Sequence, residues 1–172
     1  MFSQWGQNRL YNAFVTGDSR SYGYARSNYE SFLGANDSQA WYERLRGRAG
    51  FIVVDDSHGS ENATATVGAG LTNWGSGLGH YRAVWTGGSK TVYTLVPGAT
   101  ITGETNASQS VTVTHEGVVA GEQFTYERTT RVTNGTYSVR VPYAGAYEIA
   151  GTGIEVSEEA VNSGGRVNAS TA

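Results

Sequence analysis

Hydrophobic positions recur at two different periods along this chain, and the switch between them is the first structural signal. In the first sixty residues the spacing is helical. "SYGYARSNYESFL" (21–33) sets Tyr22, Ala25, Tyr29 and Phe32 three and four residues apart, which predicts a helix with one apolar stripe. "NDSQAWYERLR" (36–46) opens on Asn36, Asp37 and Ser38, aligns Trp41 with Leu45, ends in basic residues and is followed by Gly47. That is a capped helix with a stop signal. "AGFIVVDD" (49–56) is apolar without alternation and ends in two aspartates, predicting a buried strand that runs parallel to its neighbours. Residues 57–79 are Gly-rich and weakly patterned, and a loop with one short helix is expected there.

From residue 80 the period becomes two. "HYRAVWTGGSKTVYTLV" (80–96) predicts a hairpin turning at T-G-G-S. After Pro97, "TITGET", "SVTVTHE", "FTYERTTRV", "TYSVRVP" and "AYEIA" predict five short strands, and "GTGIEVSEEAV" a sixth. Val111 and Val113, and Tyr137, Val139 and Val141 against Ser138 and Arg140, mark one buried face and one wet face. The fold class is therefore α+β. A small helix-rich α/β core is expected over 1–85, an antiparallel β-sandwich or barrel over 86–160, and a disordered tail over 161–172.

Composition narrows the functional classes. The 172 residues carry 12 Lys and Arg against 15 Asp and Glu, a formal net charge of −3 with no basic run, so nucleic acid is not an expected partner. There is no cysteine, which removes disulfides and thiolate metal sites. The longest apolar run, "GFIVV", is too short to cross a bilayer, and Met1 is not followed by a signal-peptide pattern. If the protein is exported, the signal is expected outside this sequence. Five N-x-S/T sequons, at Asn36, Asn62, Asn106, Asn134 and Asn168, lean towards an extracytoplasmic surface, with turn-forming Asn beside Ser or Thr the plainer reading of each.

Candidate chemistry is sparse. "VVDDSHG" places Asp55, Asp56 and His58 past a strand's C-terminal edge, where a D-x-x-H pair can ligate a metal or exchange protons. With no third ligand nearby, loop capping by the aspartates and a solvated His58 is the favoured reading. His80 reads as a strand-edge structural histidine beside Trp85, and His115 as a surface residue at a turn. Trp41, Trp74 and Trp85 read as core in preference to a sugar-stacking platform. "GSGLG" lacks the flanking strand and helix of a phosphate cradle, and no nucleophile-elbow, Walker or zincin motif occurs.

The second half of the chain carries a resemblance. "GHYRAVW…TVYTLVPGATITGET", "FTYERTTRVTNGTYSVRVPYAGAYEI" and "EVSEEAV" resemble the C-terminal extracytoplasmic region of haloarchaeal oligosaccharyltransferases, the dolichyl-phosphooligosaccharide–protein glycotransferases. The first half agrees in layout. The resemblance implies a glycosyltransferase fragment, inactive alone, on the extracytoplasmic face of the cell membrane. An N-terminal membrane part, absent here, would hold the divalent metal (Mg or Mn) and the lipid-linked oligosaccharide, leaving no cofactor in this fragment. The soluble domain would meet the acceptor polypeptide with its N-x-S/T sequon. The family reads the sequon hydroxyl with a W-W-D-Y-G signature, and the layout puts "QWGQNRLYN" (4–12) in that place. Trp5 matches one tryptophan and no aspartate follows, so the candidate acceptor-binding residues are Trp5, Gly6, Asn8, Arg9 and Tyr11. Three readings stay open: a divergent paralogue using Asn8 or Arg9, a non-catalytic relative, or a signature lying upstream. From another class, a cell-surface binding or structural module with a carboxypeptidase-regulatory-like sandwich fits the same pattern. A free-standing hydrolase built on Asp55, Asp56 and His58 is the third.

Overall fold

A computed structural model describes residues 1–15, 19–55 and 66–169, without the side chains of residues 9, 12–15 and 19–22. The element order is α1 (Trp5–Val15), α2 (Ser19–Leu33), α3 (Ser38–Leu45), β1 (Phe51–Asp55), α4 (Val67–Thr72), β2 (Tyr81–Gly87), β3 (Lys90–Leu95), β4 (Ala99–Glu104), β5 (Ser110–Val119), β6 (Glu122–Arg131), β7 (Thr136–Val141), β8 (Gly145–Ile149), β9 (Thr152–Val156), α5 (Glu158–Ser163) and β10 (Arg166–Ala169). Helices and sheets segregate along the chain, an α+β arrangement. Among the described residues no helix is long and apolar enough to cross a membrane.

The chain forms two compact units that interleave in sequence. One takes residues 1–73 and 83–95, the other 74–82 and 96–172. The boundary expected at 85/86 therefore falls differently: most of the β2–β3 hairpin belongs to the first unit. The reason is pairing, because among the described residues β3 supplies the ladder of β1, running Phe51↔Thr94 to Asp55↔Lys90. That ladder is antiparallel, which corrects the parallel expectation. A continuous apolar run shows that a strand is buried on both faces but carries no information on its direction.

The first unit is held by an aromatic cluster on the predicted stripe. Ala25, Tyr29 and Phe32 of α2 are buried, and the Phe2 ring lies 5.5 Å from Tyr29 and 5.3 Å from Phe32, edge-on to the latter. Phe32 in turn meets Trp41 of α3 edge-on at 5.6 Å. Such pairs add about 0.5–1.5 kcal/mol each beyond burial. Asp37 is the N-cap of α3, accepting from the Ala40 N–H at 2.9 Å, and Gly47 adopts φ +72 just beyond the helix. The Tyr29 hydroxyl donates to the Val53 carbonyl at 2.7 Å, and Tyr93 donates to the Leu71 carbonyl, tying helix and sheet together.

The second unit contains two sheets, ordered β10-β4-β7 and β6-β5-β8-β9. The second is antiparallel throughout, with β5 and β6 in register over ten pairs from Ser110↔Arg131 to Val119↔Glu122. The first is mixed: β4 runs antiparallel to β7 but parallel to β10. The disordered tail expected over 161–172 is thus corrected as far as Ala169. Ser157 caps α5 through the Ala160 N–H, Gly164 ends it at φ +73, and β10 follows directly. Three two-residue turns, Ala120-Gly121, Asn134-Gly135 and Ala150-Gly151, have both residues at positive φ, the signature of tight hairpins.

Candidate functional site

The candidate acceptor segment forms the first half of α1, and each of its side chains can be placed. Trp5 is 41% exposed, with the Arg26 guanidinium 4.7 Å above its ring. Gly6 is exposed, and a Cβ there would meet nothing within 4 Å. Asn8 is fully buried. Its amide donates to the Ser3 hydroxyl at 3.1 Å and to the Met1 carbonyl at 3.2 Å. Those bonds fix the strand-like entry of residues 1–4, where Phe2 bridges to Ile52 beside β1. Tyr11 is half-buried and donates to Gln7 Oε1 at 2.6 Å. The Arg9 side chain lies outside the described residues. Trp5, Gly6 and Tyr11 therefore have surface to offer, while the Asn8 amide is committed inward.

Asp55 ends β1 half-buried and pairs with Lys90 Nζ at 2.6 Å, its cross-strand partner in the ladder. Asp56 and His58 lie outside the described residues. Among the described residues no group of three or more His, Asp or Glu side chains is placed to hold a metal ion.

Both described histidines are structural. The His80 Nδ1 faces the Val96 carbonyl at 3.0 Å, so that nitrogen carries the proton, and Nε2 accepts from Arg140 Nη1 at 3.2 Å. His115 is not a surface residue: it is buried, stacked on Tyr147 at 4.8 Å and Tyr143 at 5.6 Å, and its Nδ1 donates to the Ala146 carbonyl at 2.9 Å. The signal was parity, since His115 is in phase with Val111 and Val113 on the inward face. Gly117 and Gly145 make room for the ring, since a Cβ at either would lie 3.1 Å from it. Burial pushes the Tyr126 and Tyr147 phenols well above the ordinary tyrosine range, with Arg128 partly opposing it at Tyr126. Burial, and then Glu30 and Asp55, do the same to Tyr29.

"GSGLG" is no phosphate cradle. The Gly77 N–H donates to the Glu127 carbonyl at 2.8 Å and the Leu78 N–H to the Gly75 carbonyl at 2.9 Å, so its central amides are spent internally. Of the three tryptophans expected in the core, Trp41 is buried, Trp74 is half-buried and stacks on Phe124 at 5.1 Å, but Trp85 is 48% exposed. Its indole lies along the strand over Gly87, where a Cβ would fall 2.6 Å from Cζ2 and Cη2. A glycine two residues on was the sequence signal that this ring lies flat against the strand.

The second unit also carries an open polar cavity of about 610 Å³ at the end of β4 and β7. Glu104, Thr105, Asn106, Asn134, Thr136 and Tyr137 are among the residues that line it. Two of the five sequon asparagines thus share one groove, which separation by 28 positions in sequence does not disclose.

Residues 98–167 match the family model of the archaeal glycosylation protein B long peripheral domain. No curated protein sequence matches the chain. Solved structures do. The Archaeoglobus fulgidus oligosaccharyltransferase tethered through a disulfide bond to an acceptor peptide with the NVT sequon matches with a TM-score of 0.75 at 14% identity, over 98% of this chain and 38% of that one. Its apo form gives 0.71 at 14% identity, over 98% and 37%. Archaeal oligosaccharyltransferase AglB from the same organism, in complex with an inhibitory peptide and a dolichol-phosphate, gives 0.69 at 15%, over 83% and 33%. The chain spans just over a third of the length of these structures or less, and at such identity the likeness is one of fold. Residues 98–167 are thus similar to the long peripheral domain of archaeal glycosylation protein B, within a chain that shares the fold of part of an archaeal oligosaccharyltransferase.

Proposed function

We propose that this chain is the outward-facing C-terminal domain of a membrane oligosaccharyltransferase-like protein, and that it positions acceptor polypeptide for transfer of oligosaccharide from a lipid-phosphate carrier to asparagine. One observation carries the reading: a family segment over 98–167 sits inside a chain whose fold matches, over 98% of its length, an enzyme captured with an NVT acceptor peptide. In this reading bond chemistry belongs to the membrane part, which would contribute the divalent Mg or Mn and hold the lipid-linked oligosaccharide. The described residues offer no three-ligand acidic or histidine cluster for a metal. The acceptor-facing surface is the exposed side of α1 at Trp5, Gly6 and Tyr11, where an indole backed by Arg26 can pack against an extended peptide. Asn8 supports that surface from beneath by holding residues 1–3.

The test is an NMR titration of the labelled chain with an N-x-T peptide and with the matched N-x-A peptide. Differential shifts at Trp5, Gly6 and Tyr11 are expected. Equal shifts from both peptides, or none in this segment, remove sequon reading from α1.

A further inference from the structure

Asn36, Asn106, Asn134 and Asn168 are the sequon asparagines among the described residues, and all four are exposed. Exposure does not choose between them, but the state of the rest of each sequon does. Transfer to a folded chain needs the asparagine amide and the Ser or Thr hydroxyl two residues on to be engaged together. A sequon whose hydroxyl or backbone is already bonded must break those bonds first. Asn134 sits at φ +51 in a tight turn in which Thr133 and Thr136 exchange backbone hydrogen bonds of 2.8 and 3.0 Å. The Thr136 hydroxyl itself donates to the Thr133 carbonyl at 2.8 Å. Asn168 lies within the β10 ladder opposite Thr102, whose hydroxyl donates to Asn168 Oδ1 at 2.6 Å. Asn36 precedes the Asp37 cap, so its serine, Ser38, is the first residue of α3.

Asn106 differs from all of these. It stands in the loop between β4 and β5, with Asn106 and Ser108 both exposed. The loop is anchored by the Thr105 N–H on the Gly135 carbonyl and the Ala107 N–H on the Thr105 hydroxyl. Among the described residues neither the Asn106 amide nor the Ser108 hydroxyl is engaged. The 610 Å³ groove opens at this asparagine and presents Glu104, Thr105, Thr136 and Thr152, groups that pair with sugar hydroxyls.

We propose that Asn106 is an N-glycan acceptor of this chain itself. A bond forms between Asn106 Nδ2 and the anomeric carbon of a lipid-linked oligosaccharide. The bond from that carbon to the carrier's phosphate oxygen breaks, the lipid phosphate leaves with the electron pair, and the amide gives up one proton to solvent. Occurrence in the cell rests on the outward-facing reading above; presentation of the site does not.

The experiment incubates the folded 172-residue chain, and separately its proteolytic peptides, with an archaeal oligosaccharyltransferase and its lipid-linked oligosaccharide, and reads each sequon by glycopeptide mass spectrometry. In the folded chain Asn106 is expected to be modified several-fold more than any other sequon. Asn106→Gln and Ser108→Ala abolish that signal, and Asn134 and Asn168 gain occupancy only as peptides. Preferential modification of another sequon in the folded chain overturns the proposal. So does an Asn106 that is modified in the peptide but not in the folded chain, or in neither. If the folded chain is modified at Asn106 in vitro while the chain from its own cells carries no glycan, the site stands and the outward-facing reading fails.

Discussion

Gly98 links β3 to β4 at the point where the second unit resumes, and it tests whether close backbone approach holds that unit together. It has φ +73, and a Cβ there would lie 2.3 Å from the Gly79 carbonyl oxygen, 2.9 Å from Arg140 Cγ and 3.1 Å from the Val141 carbonyl oxygen. Carbon–oxygen contacts normally begin near ~3.3 Å. The methyl of Gly98→Ala therefore intrudes by about 1 Å on an atom that no rotamer change can move. The left-handed conformation costs an alanine about 1–2 kcal/mol, and forced displacement in a packed site a further ~1–3. Gly98→Ala should therefore lose about 2–5 kcal/mol. Gly121→Ala is the control within the same unit: its φ is +88 but nothing lies within 4 Å, so only the conformational cost of about 1–2 kcal/mol applies. Urea unfolding followed through amide signals of Val113 and Tyr147 measures both. At an m-value of about 2 kcal/mol/M, Gly98→Ala should fall about 1 M below Gly121→Ala in midpoint. Equal midpoints with unchanged m would refute the claim that Gly79, Gly98 and β7 are in obligatory contact.

Other perturbations probe other elements. Ala120 occupies a left-handed turn position at φ +52, so Ala120→Asn or Ala120→Gly should stabilise by about 0.5–1 kcal/mol in the same urea assay. Asn8→Ala removes one buried and one part-buried hydrogen bond and leaves the Ser3 hydroxyl short of a partner, which should cost about 2–3 kcal/mol in thermal unfolding. Tyr29, Tyr126 and Tyr147 have phenols raised above their unfolded value of 10.0, chiefly by burial. Their contribution is complete below that value and falls as pH rises through it, by about 1.4 kcal/mol per pH unit for each tyrosine. Unfolding midpoints should therefore be flat from neutral to pH ~9 and drop steeply above ~10; a flat profile beyond that would mean the phenols reach solvent. Asp37→Ala removes the α3 cap and should cost about 1 kcal/mol, read as a lowered melting temperature.

How much of this was legible in the chain depends on how local the determining physics is. The α2 stripe, the α3 cap and stop, the hairpin and six strands follow from periodicity and turn chemistry within a few residues, and the structure has them. The direction of β1 does not follow, because "FIVVD" encodes burial on both faces, and its partner β3 lies about forty residues away. The C-terminal strand was hidden for a similar reason. "GGRVNA" has the composition of a tail, and its last four residues become a strand because β4 offers a free edge to pair with. His115 was readable and its proximity to a turn misleading: strand parity with Val113 outweighs it. The acceptor candidates divide along the same line. The helix that carries Trp5 and Tyr11 is a local matter, whereas Asn8 turns inward because Phe2 docks beside Ile52, a long-range event.

The interleaving of the two units also explains why the family segment is not the whole of the second unit. The matched residues begin at 98, yet residues 74–82 belong with them. Trp74 stacks on Phe124, its carbonyl accepts from the Tyr143 hydroxyl at 2.7 Å, and the Leu78 carbonyl accepts from the Tyr126 hydroxyl at 2.8 Å. Without that stretch two buried phenols would lose their acceptors, at about 1–3 kcal/mol each, and Phe124 would lose its stacking partner. Trp74 holds its place at φ +54, a backbone region that bulky residues avoid, and Gly75 and Gly77 continue the turn with positive φ. The Trp-Gly turn is therefore best understood as a plug for the β5–β6–β8 face. This glycine-rich stretch, which lacks the flanking elements of a phosphate loop, spends its amides and carbonyls on completing a core.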